Sequence, residues 1–378
     1  MKNIKNIKKV VIASVSAVLI LFLFVIILKA IERRNIDINI EVCNYGNNVF
    51  ESSNGYYILQ HDGVYLYDND KEQLLVENDS ISQFVCNDEY ICVLSQNDGL
   101  VVTAYKSSGE KIAECEFEDI YLLAIDQSYL YASQCSSNYD KELVLFDISN
   151  GFKKIDINAQ KLGRDTSLSF IRGNDTTIFI SDNRCIASFN GLSVVCSYRG
   201  TSQRILEYSS DILVYTDNLN VDSIDVYNTA TNTMQNIELN DTDLCGKSVT
   251  FSYLEDSKFV LAGNGAQPVL GMGGDFNTST QLKYHTNDSL VTIETISGEI
   301  VDSYKTRKYE RILYADSEKA ITYYDGEYLT YSLEDWKVID KQNADEIKNG
   351  GSYFFEACGE YIFVFDDKTD KLINKLKV

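Results

Sequence analysis

Two patterns of apolar residues divide the chain. From Val10 to Leu28 run 19 residues without a charge, among which only Ser14 and Ser16 are strongly polar. As a helix rising ~1.5 Å per residue, such a run nearly crosses a ~30 Å hydrocarbon core. A lone segment inside lipid must be helical to satisfy its own backbone. From about Ile36 onward the pattern changes and shows no helical period. Short runs of Tyr, Val, Ile, Leu and Phe alternate with clusters of Asn, Asp, Ser and Gly, the pattern of strands joined by tight turns.

The first run is longer than the ~7–15 residues of a signal-peptide core. It ends in Lys29-Ala30-Ile31-Glu32-Arg33-Arg34, a charged stop, and the first cysteine after it is Cys43. The expectation is an uncleaved single-pass anchor. Lys2, Lys5, Lys8 and Lys9 before it outnumber Lys29, Arg33 and Arg34 after it, which sets the N-terminus in the cytoplasm and the body outside the cell membrane. The divisions are then a tail at 1–9, a transmembrane helix at 10–28, a juxtamembrane linker at 29–36 and an all-β domain at 37–378.

The β region repeats itself. A hairpin consisting of an apolar strand, a turn and a more polar strand occurs at 64–76, 101–117, 143–157, 185–198, 224–239, 291–305, 328–341 and 361–378, and each is preceded by another apolar strand. Successive units step by 38, 42, 40, 40, 67, 36 and 34 residues. All but one step lies near the ~40–45-residue period of a four-stranded propeller blade. Runs such as Tyr361-Ile362-Phe363-Val364-Phe365 are apolar on consecutive positions, which requires cover on both faces. Sandwiching each sheet between two neighbours in a ring supplies that cover. The expected architecture is a β-propeller of eight four-stranded blades, or seven if an end unit is shared in ring closure.

In this hairpin the chain resembles bacterial β-propeller repeats of the WD, YVTN and quinoprotein type, over nearly all of residues 37–378. The Trp-Asp dipeptide and the other blade signatures of particular propeller families are absent from the sequence. The resemblance therefore implies an architecture and transfers no functional residue.

Charge narrows the function. Residues 1–34 hold seven Lys/Arg against one Glu, so the rest of a chain with net charge −22 carries −28. An acidic body of this size argues against binding nucleic acid through phosphates. With two His and without C-x-x-C, G-x-S-x-G or G-x-x-x-x-G-K-[ST], most recognisable catalytic motifs are missing, and no cofactor is expected. Asp68, Asp70 and Glu72 alternate around one turn and are candidates for weak calcium binding, with a solvated polar turn as the alternative. Cys185 and Cys196 flank Asn190-Gly191, a strong two-residue turn signal. Counting back from that turn sets the two cysteines opposite each other, at a distance that permits a disulfide; two buried thiols are the alternative.

The 67-residue step holds a long segment between strands, with five of the chain's glycines, its only proline (Pro268) and His285. Segments of this length inside a compact domain are usually functional or disordered. Gln267, Leu270, Met272, Asp275, Phe276 and His285 are its candidate contact residues. Together these observations point to a membrane-anchored extracytoplasmic propeller that binds or scaffolds a protein, peptide or glycan without catalysis. The alternatives are a propeller-type glycan hydrolase or lyase, and the sensory ectodomain of a membrane complex.

Overall fold

Strands that are apolar on both faces must be covered on both faces, and the chain achieves this by pressing one small antiparallel sheet against the next. The computed structural model describes residues 39–43, 48–68, 71–96, 99–135, 141–155, 169–174, 177–181, 185–190, 193–199, 204–209, 211–216, 220–264, 287–348 and 350–378. The run 10–28 and its flanks at 1–9 and 29–36 lie outside them. Among the described residues no helix is long and apolar enough to cross a membrane.

These residues form seven four-stranded sheets and one five-stranded sheet. In chain order the sheets cover 49–77, 81–117, 121–155, 169–199, 204–238, 247–305, 311–343 and 352–377, and consecutive strands are neighbours in each. The fifth strand of the sixth sheet is the dipeptide Asn220–Val221, which leaves the fifth sheet to pair with Lys247–Glu255. Each expected hairpin forms the last two strands of its sheet, including the eighth, where Tyr361–Asp366 and Lys371–Lys377 follow Ser352–Cys358. The first strand of that sheet is Asn39–Cys43, paired in parallel with Ser352–Cys358, so the two ends of the β region share one sheet.

The cores lie between sheets. Tyr57 and Val64 of the first sheet pack with Phe84 and Ile91 of the second. Val102 of the second packs with Leu130 and Phe146 of the third. Leu206 and Val226 of the fifth meet Phe259 and Val291 of the sixth. Leu290, Ile321 and Phe355 join the sixth, seventh and eighth, and Phe363 and Phe365 of the eighth close on Val49 and Ile58 of the first. The contact between the last and first sheets is what a ring requires.

The outer turns fasten one sheet to the previous one. Trp336, in the last turn of the seventh sheet, stacks on Tyr304 of the sixth at 3.9 Å and donates its indole N–H to Asp302 at 2.7 Å. Phe152 meets Phe117 edge to face, with ring centroids 6.4 Å apart, between the third and second sheets. At Gly109 (φ 87°) a Cβ would lie 2.7 Å from the carbonyl oxygen of Leu75, so glycine is required by both conformation and contact.

The outermost strand of six sheets carries a β-bulge, and the skipped residue is apolar each time: Leu75, Ile112, Val195, Val301, Ile339 and Ile373. Bulges twist an edge and break its ladder. One of them corrects the expected cysteine pairing. In the fourth sheet the hairpin closes on Asn190↔Ser193 rather than 189↔192, and the bulge at Val195 shifts the register again. Cys185 faces Arg199, and Cys196 faces Ser188. Three residues of offset is about 10 Å along a strand, beyond the ~7 Å a disulfide can span. Among the described cysteines, Cys92, Cys115, Cys245 and Cys358 are free thiols.

Candidate functional site

The long segment leaves and rejoins the sixth sheet at a hydrogen-bonded register pair, Asn264↔Asp288. Gln267, Leu270, Met272, Asp275, Phe276 and His285 all lie outside the described residues. What the structure defines is the place from which the segment springs, and a dense polar network occupies it.

Asp288 begins the strand Asp288–Glu294 and is 1% exposed. Its carboxylate accepts from Arg311 Nη1 at 2.7 Å and from the backbone N–H of Ile312 at 2.9 Å, which joins the sixth sheet to the first strand of the seventh. Burial pushes the Asp288 carboxyl up, against the pull of Arg311, the Ile312 N–H and Lys247. Lys247 donates to the carbonyl of Asn287 at 2.8 Å and to Ser289 Oγ at 2.5 Å. Burial, followed by the charge of Lys305, lowers its ammonium. Asn287 donates its side-chain amide to the carbonyl of Thr306, and Thr306 Oγ1 bonds to the carbonyls of Asp288 and Glu310, each at 3.1 Å.

The link between the sixth and seventh sheets reads Lys305-Thr306-Arg307-Lys308-Tyr309-Glu310-Arg311, four cations and one acid in seven residues. Its geometry is fixed from within by Glu310, whose side chain is fully buried. That carboxylate accepts from Thr322 Oγ1 and Tyr331 Oη, both at 2.8 Å, and from Arg307 Nε at 3.0 Å. Arg307 also donates to Tyr331 Oη at 2.7 Å and lies over the Tyr324 ring at 4.3 Å, yet its side chain is 51% exposed. Lys305 is paired with Asp243 at 2.8 Å, and Lys308 rests on the Tyr309 ring at 4.6 Å. The result is a densely hydrogen-bonded link on a strongly acidic body, beside the root of the long segment, with Arg307 and Lys308 exposed. A guanidinium fixed in this way offers oriented donors to an anionic group.

Sequence reasoning located the segment but not this link. The signal was present as a cation run that reverses the sign of its surroundings, but Asp288 and Glu310 become its supports only through contacts between different sheets. Of the calcium candidates, Asp70 lies outside the described residues, and Glu72 accepts from Gln60 Nε2 at 2.5 Å. In the corresponding turn of the last sheet, Asp366 Oδ1 caps the N–H groups of Lys368 and Thr369, an ordinary Asx turn. Among the described residues no group of three or more His, Cys, Asp or Glu is placed to hold a metal ion. His61 lies in the turn between Gly55–Gln60 and Gly63–Asp68, as its neighbours Asp62 and Gly63 suggest.

No protein-family model matches the chain, and no curated protein sequence matches it. Solved structures do. BamB from Moraxella catarrhalis is similar at a TM-score of 0.55 and 11% identity, over 92% of this chain and 98% of that one. Saccharomyces cerevisiae Sqt1 is similar at 0.53 and 8% identity, over 89% and 98%. The dihydro-heme d1 dehydrogenase NirN, in complex with DHE, is similar at 0.54 and 13% identity, over 88% and 75%. These are β-propellers, and at such identities they establish that fold for this chain.

Proposed function

We propose that each sheet is one blade of a propeller that acts as a binding or scaffolding module and does no chemistry of its own. Its partner is a protein, peptide or glycan, engaged by the segment 265–286 together with the link 305–311. The observation that carries this reading is the link itself: Arg307 and Lys308 are displayed to solvent, and Glu310 and Asp288 are buried behind them to hold the backbone in place. Such an arrangement spends buried charge on presentation of a surface, and binding sites are where proteins accept that cost. The same proposal places the module outside the cell membrane on the helix 10–28, with the N-terminus in the cytoplasm, because the charge-free run and its flanking lysines favour that orientation.

The test is crosslinking in the native envelope with the full chain and with two variants. One replaces 265–286 by a short Gly-Ser turn, and the other carries K305E and K308E together. Loss of the crosslinked partner in both, with an unchanged melting temperature, is the expected result. Unchanged crosslinking in both variants refutes the site. Protease added to intact cells should digest the body and spare the tail; protection of the body until lysis would overturn the orientation.

A further inference from the structure

The open edges of the sheets are not equivalent. Natural sheets guard an exposed edge with bulges, with edge lysines or by keeping the strand short. Six outermost strands here carry the bulge described above. That of the third sheet, described over Lys153–Ile155, carries two lysines. Every one of these seven strands also contains a Lys or Arg. The fifth sheet is the exception. Its outermost strand, Thr233-Met234-Gln235-Asn236-Ile237-Glu238, pairs with Ser223–Asn228 over all six residues without a register shift and has no cation.

The direction of its open groups follows from the ladder. The N–H of Leu239 donates inward to the carbonyl of Asp222 at 2.8 Å. In an antiparallel strand the N–H and C=O of one residue point the same way, and the direction alternates along the chain. Thr233, Gln235 and Ile237 therefore bond inward, and Met234, Asn236 and Glu238 aim their N–H and C=O groups away from the sheet. The strand is last in its sheet among the described residues. Its inward-leaning side chains are engaged: Gln235 Nε2 donates to the carbonyl of Ser297 at 3.1 Å, and Ile237 belongs to the core shared with the sixth sheet. Met234, held by Tyr215 Oη at 2.6 Å, is nonetheless 47% exposed, and Ile296 beside Ser297 is 75% exposed. Asp222, Glu238 and Asp241 make the surroundings acidic.

We infer that this edge accepts an extended segment of another protein as a fifth strand. The incoming segment pairs with the outward groups of Met234, Asn236 and Glu238, sets an apolar side chain against Met234, and carries lysine or arginine to match the acidic flank. The site is separate from the segment 265–286 and the link 305–311, so it stands or falls independently of them.

The test uses the full chain in detergent and a synthetic nine-residue peptide of alternating Val/Ile and Lys/Thr. A control peptide has the same side chains but N-methyl groups on alternate residues. Hydrogen exchange should show the amides of Met234, Asn236 and Glu238 fast in the free protein and protected by the first peptide. Binding should weaken at least tenfold with the N-methylated peptide. It should weaken equally with Asn236→Pro, which removes an outward N–H and leaves the ladder intact. Slow exchange at these amides in the free protein, or equal binding of the two peptides, overturns the inference. So does a dimer in sedimentation that Asn236→Pro dissolves, since the edge would then be filled by a second copy of the chain.

Discussion

Two seams between sheets bury carboxylates, and they do so in opposite ways. At the sixth–seventh seam, Asp288 and Glu310 each face an arginine, and hydroxyl or backbone donors satisfy their remaining oxygens. At the closing seam, Glu356 is 2% exposed, lies at the register position of Cys43, and reaches the start of the first sheet through one bond from the Val49 N–H at 3.0 Å. Its Oε2 has no hydrogen-bond partner among the described residues. Among the described residues no cation faces it, and burial pushes its carboxyl to about 8, against the donors of Val49 and Asn48. A buried acid that faces a guanidinium is fixed in place by it, whereas one without a cation tends to give its charge up. The first seam is thus built to hold a shape, and the second makes ring closure depend on a proton.

The largest effect should come from that proton. Between its unfolded value near 4.5 and its folded value near 8, Glu356 binds more proton in the folded state than in the unfolded one. Its contribution to stability is therefore complete below about 4.5 and lost as pH rises to about 8, a loss of about 5 kcal/mol at 1.4 kcal/mol per unit. Denaturant melts at pH 5 and pH 8 should show this decline, and Glu356→Gln should flatten it by raising stability at pH 8. A profile that Glu356→Gln leaves unchanged removes the contrast between the seams.

Next in size is the paired seam. Arg311→Met strands the buried Asp288 charge and should cost about 3–5 kcal/mol, most of which returns when Asp288→Asn is added. If the double variant is as unstable as the single one, the arginine acts through packing alone. Trp336→Ala removes the stack on Tyr304 and the bond to Asp302, and should cost about 2 kcal/mol, read as a lower melting temperature. Lys106→Ala breaks an ion pair whose side chains are 55% and 66% exposed, and should change stability by no more than about 0.5 kcal/mol. An effect of several kcal/mol there would mean that surface pairs, and not the two seams, hold the sheets together.

Much of the fold could be read in advance because it is local. Tyr361–Asp366 is apolar on consecutive positions, and its hairpin partner Lys371–Lys377 has no buried residue, so strand identity and order followed from period and turn chemistry. The fourth sheet shows the limit. Asn190-Gly191 marked the hairpin, but the pairing of Cys196 with Ser188 depended on a bulge that no local residue dictates. The candidate site divides in the same way, since the glycine-rich interruption was visible as a broken step, while the link at 305–311 is a short cation run whose meaning comes from acids on other strands.

The sequence by itself determined that this chain forms repeated four-stranded β units and that its charge lies overwhelmingly in the acidic body, because strand period, turn residues and net charge are properties of neighbouring residues. Only the tertiary structure decided which carboxylates meet an arginine and which edge lacks its bulge. Glu310 and Arg307 are neighbours in sequence, but Asp288 and Arg311, like Glu356 and Val49, meet only when one sheet is laid on another. Desolvation and the charge facing a buried group are set by that packing, and so is the value at which the group gives up its proton.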